Sequence, residues 1–192
     1  MGNANAVKVG PGTLYRAPLG TTEPTSISGA WPAGWEKIGF TDNGSTFSYN
    51  PTTANVEVEE SYYPIRIVTT GIVASISFAM AELTAKNLLM ALNTDAATSQ
   101  TTLADGTLAI EPPGIGNEKR IMLGWDALST ENVANADPYQ RLICRQCYQT
   151  GTIAPVHQKG NNKTVWAVTF SLELPATGLQ PLRHLLPPTL AA

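Results

Sequence analysis

Charge is scarce in this sequence. Asp, Glu, Lys and Arg make up 14% of its 192 residues, against roughly 25% in soluble domains. A surface so poor in charge relies on Thr, Ser, Asn and Gly for solubility, or is covered by partners. The net charge is −3, which argues against a general nucleic-acid binder. No run of about 18 apolar residues occurs, so no membrane-spanning helix is expected. The start, MGNANAVKVGPG, lacks the apolar region of a signal peptide.

Residues that carry chemistry are equally few. The two histidines, His157 and His184, stand in no motif with a Ser, Cys or acid at a useful spacing. There is no G-x-S-x-G, no H-E-x-x-H and no P-loop. The two cysteines, Cys144 and Cys147, form a single C-x-x-C without the second pair that a zinc site needs. Their setting, RLICRQCYQ, reads as a strand, in which i and i+3 point to opposite faces. Structural thiols are therefore favoured over a redox or metal role. No catalytic residue, metal or cofactor is expected.

What is present is alternation. In GIVASISFAM, residues Ile72, Ala74, Ile76, Phe78 and Met80 share one face, and Val73, Ser75, Ser77 and Ala79 the other. That is a strand with one face on a core and one small, polar face. It runs into a helical pattern in which Ala85, Leu88, Leu89 and Leu92 lie at i, i+3, i+4 and i+7. Thr84 is the expected N-cap and Asn93 the expected stop, giving a helix over about 84–92. Between residues 163 and 174, Trp166, Val168, Phe170, Leu172 and Leu174 alternate with Val165, Ala167, Thr169, Ser171 and Glu173. Further strands are expected over 13–17, 35–40, 118–128 and 140–149, the last with Arg141 and Arg145 on one face.

Punctuation supplies the rest. Asn43-Gly44 reads as a hairpin turn returning through Ser45 to Tyr49, and Asn50-Pro51 reads as a break. Asp105-Gly106 is a turn in an otherwise polar connection. The loop over 18–35 carries Trp31 and Trp35, whose apolar area has to be buried, so it is expected to be pinned to the domain or to a neighbour. Glu57, Glu59 and Glu60 are the densest charge in the chain. They read either as an edge strand guarded by charge or as an acidic contact or channel-lining patch. The sum is a mainly β fold, a β-sandwich or barrel with one flanking helix. Residues 1–12 form an N-terminal arm, 13–175 one domain, and 176–192 a Pro-broken C-terminal arm suited to docking on another surface.

The stretches GWEKIGFTDNGSTFSYNPTTANVEVEE and IRIVTTGIVASISFAMAELTAKNLLMAL carry a resemblance. In layout and phrasing, residues 10–175 resemble the major tail tube protein of long-tailed, non-contractile bacteriophages, particularly those infecting actinobacteria. The resemblance implies a structural virion protein, assembled in the host cytoplasm and located in the tail. It implies rings, six copies in such families, that stack into a tube conducting double-stranded DNA without specific binding. The implied partners are further copies and the tape measure, distal tail and terminator proteins. Ser75, Ser77, Thr169, Ser171 and Glu173 become candidates for the lumen lining, because a lumen without Lys or Arg does not hold phosphates. Asp42, Asn43, Tyr49, Glu57, Glu59, Glu60, Tyr62 and Tyr63 become candidates for ring stacking. Rival readings are a tail terminator or sheath-like protein, and a carbohydrate-binding β-sandwich in which Trp31 and Trp35 stack on sugar.

Overall fold

The computed structural model describes residues 10–128, 138–155 and 163–187. Most of the expected N-terminal arm, the loop after Leu128, His157 and the last five residues lie outside the described residues. Among the described residues, ten strands and two short helices follow in order: β1 (Gly12–Pro18), β2 (Glu36–Lys37), β3 (Thr41–Val56), β4 (Arg66–Met80), α1 (Ala85–Ala91), α2 (Ala96–Ser99), β5 (Gln100–Thr102), β6 (Leu108–Ile110), β7 (Ile121–Ala127), β8 (Gln140–Gln149), β9 (Trp166–Leu172) and β10 (Leu182–Leu185). The expectation of a mainly β, barrel-like fold holds: one sheet curls into a half-barrel. Its order is β2-β1-β7-β8-β9-β4-β3, with β10 also on β8, and β5-β6 is a separate hairpin.

The curl has identifiable causes. β8 pairs with β7 along one edge. Its other edge is shared, since Arg141–Cys144 pairs with β10 and Cys147–Gln149 with β9. A bulge lies between these halves: Leu123 faces Cys144, whereas Ile121 faces Cys147, so β8 spends one residue more than β7. Bulges bend a strand and raise its twist. The extra residue also moves Cys147 onto the face of Cys144. Both thiols enter the same core cluster, which corrects the expectation of opposite faces. They are free and buried. Burial, and then the contact with Cys144, pushes the Cys147 thiol up.

Asn43-Gly44 is not a hairpin turn. Asp42 faces Ala79 and Ser45 faces Phe78, so residues 43 and 44 are an insertion within β3. Gly44 takes φ 74° there, a left-handed conformation that glycine adopts without steric cost. Asn50-Pro51 is not a break either. Pro51 faces Ile72 inside the strand pair, and β3 is the last strand of its sheet. An outer strand tolerates a residue with no N–H to donate.

Two cores flank the sheet. The larger holds Leu14, Ile76, Phe78, Met80, Met90, Leu123, Leu142, Val168 and Phe170. The smaller sets Ala17, Met122 and Ile143 against Trp31, Trp35 and Leu185. The tryptophan loop is thus pinned to its own domain. Trp31 stacks on Tyr15 at 4.6 Å and meets Trp35 at 4.5 Å. Its indole donates to Asp126 Oδ2 at 2.8 Å. Arg141 donates to both oxygens of Asp126 at 2.7 and 2.9 Å and to the loop carbonyls of Ser26 and Gly29. Gly124 supplies the room, because a Cβ there would stand 2.2 Å from the Trp31 ring.

Thr84 caps α1 and accepts from the Asn87 amide. The helix ends in two return bonds, Asn93 N to Met90 O and Thr94 N to Leu89 O, the Schellman arrangement. Asn93 takes the required positive φ, 53°. The fully buried stripe of the helix is Asn87, Met90 and Ala91, with Leu89 beside it. Ala85, Leu88 and Leu92 are half-buried at its margins.

Candidate assembly surfaces

Strands β4 and β9 build a small, polar surface. Ser75 faces Ser171, Ser77 faces Thr169 and Ala79 faces Ala167 across the pair. The alternate residues Ile76, Phe78, Val168 and Phe170 are buried in the core, so the Ser/Thr face turns away from it. The hydroxyls of Ser77 and Thr169 bond at 3.0 Å, and those of Thr150 and Ser171 at 2.9 Å. No charged residue stands at these six strand positions. Glu173 follows just past β9 and is paired. It accepts from Gln146 at 2.9 Å and from Arg120 Nε at 3.1 Å. The Gln146 bond and then Arg120 hold its carboxyl below the usual range. Arg120 in turn lies 4.6 Å from the ring centre of Tyr148. The pairing of β4 with β9 brings these five residues near one another, and the one acid among them is neutralised locally.

The second surface is a bare ribbon. β9 pairs with β4 only from Ser75 to Met80. From Arg66 to Ala74, β4 has β3 as its only strand neighbour among the described residues. Nine residues of strand at ~3.4 Å each give a projection of about 30 Å. Its apolar side chains have little to bury against: Tyr49, Ile65, Ile67, Ile72 and Val73 are all more than half exposed. At the turn, Tyr62 and Tyr63 are 105% and 81% exposed, which is to say they touch almost nothing of their own chain. Glu57, Glu59 and Glu60 are exposed there too. Asp42 is placed apart from them, at the ribbon's root, where Lys163 pairs with it at 2.8 Å. Asn43 lies in the same bulge.

An isolated two-stranded ribbon is marginal in water. Single exposed apolar residues are ordinary, but a contiguous set marks an interaction surface. Sequence reasoning found the turn's acids and tyrosines and missed Ile67, Ile72 and Val73. Ile72 alternates in step with the core residues of β4, and Val73 falls on the face read as small and polar.

The profile of one protein family matches residues 1–126, and its description is phage tail tube protein. The chain belongs to that family. It is accordingly a structural component of a phage tail. A chain of the anti-feeding prophage (AFP) baseplate, from a six-fold symmetrised cryo-EM structure, has a similar fold. The TM-score is 0.51 at 9% identity, over 96% of this chain and 97% of that one. At such identity the likeness concerns the fold alone. No curated protein matches the sequence. The sugar-binding alternative loses its motive, because Trp31 is stacked on Tyr15 and Trp35 within the domain. Among the described residues, no cluster of His, Cys, Asp and Glu is arranged for a metal, and no helix is long and apolar enough to cross a membrane.

Proposed function

We propose that this tail tube protein polymerises with itself, as rings that stack into the conduit for DNA. The observation that carries the reading is the β3–β4 ribbon. About 30 Å of strand pair exposes isoleucines, valines and tyrosines that its own chain does not cover. Such a surface acquires a buried face only in an assembly. A ring also covers the outer edge of β3, which otherwise offers unpaired backbone groups. Ring closure would place six copies, if the family's usual number holds, around a lumen lined by the Ser75, Ser77, Thr169 and Ser171 face. That face supports the assignment because it is small and hydroxylated, and the one base beside it, Arg120, is paired with Glu173. A paired base holds passing phosphates less than a free one would.

The layout of residues 34–60 and 65–92 favours the long-tailed, non-contractile type with an actinobacterial host. Tape measure, distal tail and terminator proteins are the partners this role requires, with assembly in the host cytoplasm. The test is to replace residues 50–73 by Asn-Gly, which keeps the Tyr49–Ala74 pair as the end of the ladder. The shortened protein should fold and sediment as a monomer under conditions in which the full chain polymerises. Polymers from the shortened chain would overturn the ribbon's role.

A further inference from the structure

A cavity of ≈ 500 Å³ is lined by residues of α1, the start of β7 and the end of β1. Its wall is apolar, with Ala17, Leu89, Met90 and Ile121. Its rim is charged. Arg16 and Lys86 share Glu36, at 3.2 and 2.9 Å, and Lys119 stands a loose 3.8 Å from Asp95. Three bases thus face two acids, and the Lys86 side chain is 67% exposed. The volume lies within the range of ordinary recognition pockets.

We infer that this cavity receives the tip of the β3–β4 ribbon of a second copy. The inference rests on the self-assembly proposed above and deepens it. Tip and cavity match in chemistry. The tip offers two aromatic side chains, Tyr62 and Tyr63, that touch almost nothing of their own chain. Amphipathic rings of this kind seat an apolar body in a pocket and keep the hydroxyl at its mouth. Flanking them are Glu57, Glu59 and Glu60, for which no ion pair exists among the described residues, against a rim with one base in excess. Opposed charges of this sort fix register and exclude wrong contacts more than they add affinity.

The contact is not made within one chain, since the tip is exposed and the cavity is open. It joins two different patches of the same molecule and is therefore heterologous. Heterologous contacts either close into rings or propagate without limit. A tip that seats in the next copy's cavity gives a tube one direction of growth.

The experiment is to place a photoreactive benzophenone amino acid at Tyr63 of the full chain, assemble it, irradiate, and map the adducts by mass spectrometry. Adducts should fall on the segment 86–96, Met90 included, and on residues around Lys119. A charge exchange supplies a second readout. Lys86→Glu with Lys119→Glu should slow polymerisation at least tenfold, and Glu59→Lys with Glu60→Lys in the same chain should restore much of the rate. Tubes that form with adducts confined to other segments overturn the cavity assignment and leave self-assembly standing. A full chain that stays monomeric overturns both.

Discussion

Asn93 and Gln149 exchange two hydrogen bonds of 2.8 Å. The Asn93 amide nitrogen donates to the Gln149 carbonyl, and the Gln149 backbone N–H donates to the Asn93 side-chain oxygen. A side chain here does the work of one more strand residue at the end of β8. The same residue ends α1 in a left-handed conformation, and its carbonyl accepts from Lys119 N at 2.7 Å. One asparagine thus ties the helix to the sheet and to the approach of β7. Asn93→Ala should cost about 2–4 kcal/mol, from two lost buried bonds and a strained φ. Asn93→Gly relieves the strain and should recover about 1 kcal/mol of it. Urea unfolding of the two variants checks the order. Equal losses would show that the backbone conformation contributes nothing.

Asp126 and Arg141 are the buried counterpart of that tie, on the other face of the sheet. Their side chains are 6% and 2% exposed. Asp126→Asn should destabilise by about 3–5 kcal/mol, because it leaves a buried guanidinium without its counter-charge. It also weakens the acceptor of the Trp31 indole, so the fluorescence of the tryptophan loop should shift toward that of solvated indole. Unchanged emission with lowered stability would separate the loop from the ion pair.

Acid should loosen the pinned segments. Hydrogen bonding from Arg145 holds the Glu23 carboxyl below its ordinary 4.5, and Lys86 does the same for Glu36. For carboxyls depressed in the folded state, the stabilisation is full above the ordinary value and is lost as pH falls through the folded one. The urea midpoint should therefore drop as pH falls below the ordinary carboxylate range. Glu23→Gln should flatten part of that slope. A slope identical in the variant would remove Glu23 from the account.

How much of this was legible in the sequence depends on what sets each feature. The cores of β4 and β9 were legible because period-two alternation is fixed by the pleat. The Ser/Thr face followed from the same alternation. Asn43-Gly44 misled because a left-handed glycine serves a bulge as well as a turn. Pro51 misled because its cost depends on whether the strand is outermost, which is a property of the sheet. Cys144 and Cys147 share a face only through a bulge that the pattern RLICRQCYQ does not announce. β5 and β6 went unread around a correctly placed Asp105-Gly106 turn, since three-residue strands carry too little alternation. Ile72 reads as a core residue and Val73 as part of the small, polar face, so the alternation announces neither as an exposed apolar side chain.

Arginine on the hydroxyl face tests the lumen assignment. Ser77→Arg and Ser171→Arg should allow assembly, because both positions are only partly buried. Every ring would then add phosphate contacts along the path of DNA. Ejection from phage carrying either variant should slow at low salt and recover at high salt. Wild-type kinetics at low salt would place this face outside the lumen.

Self-assembly itself is the central claim, and negative-stain microscopy of the purified full chain tests it most directly. Tubes with a stain-filled centre and a regular ring repeat are expected from the full chain, and single particles from the chain shortened at 50–73. Single particles from both, at concentrations where the full chain is folded and with added tail partners making no difference, would contradict it.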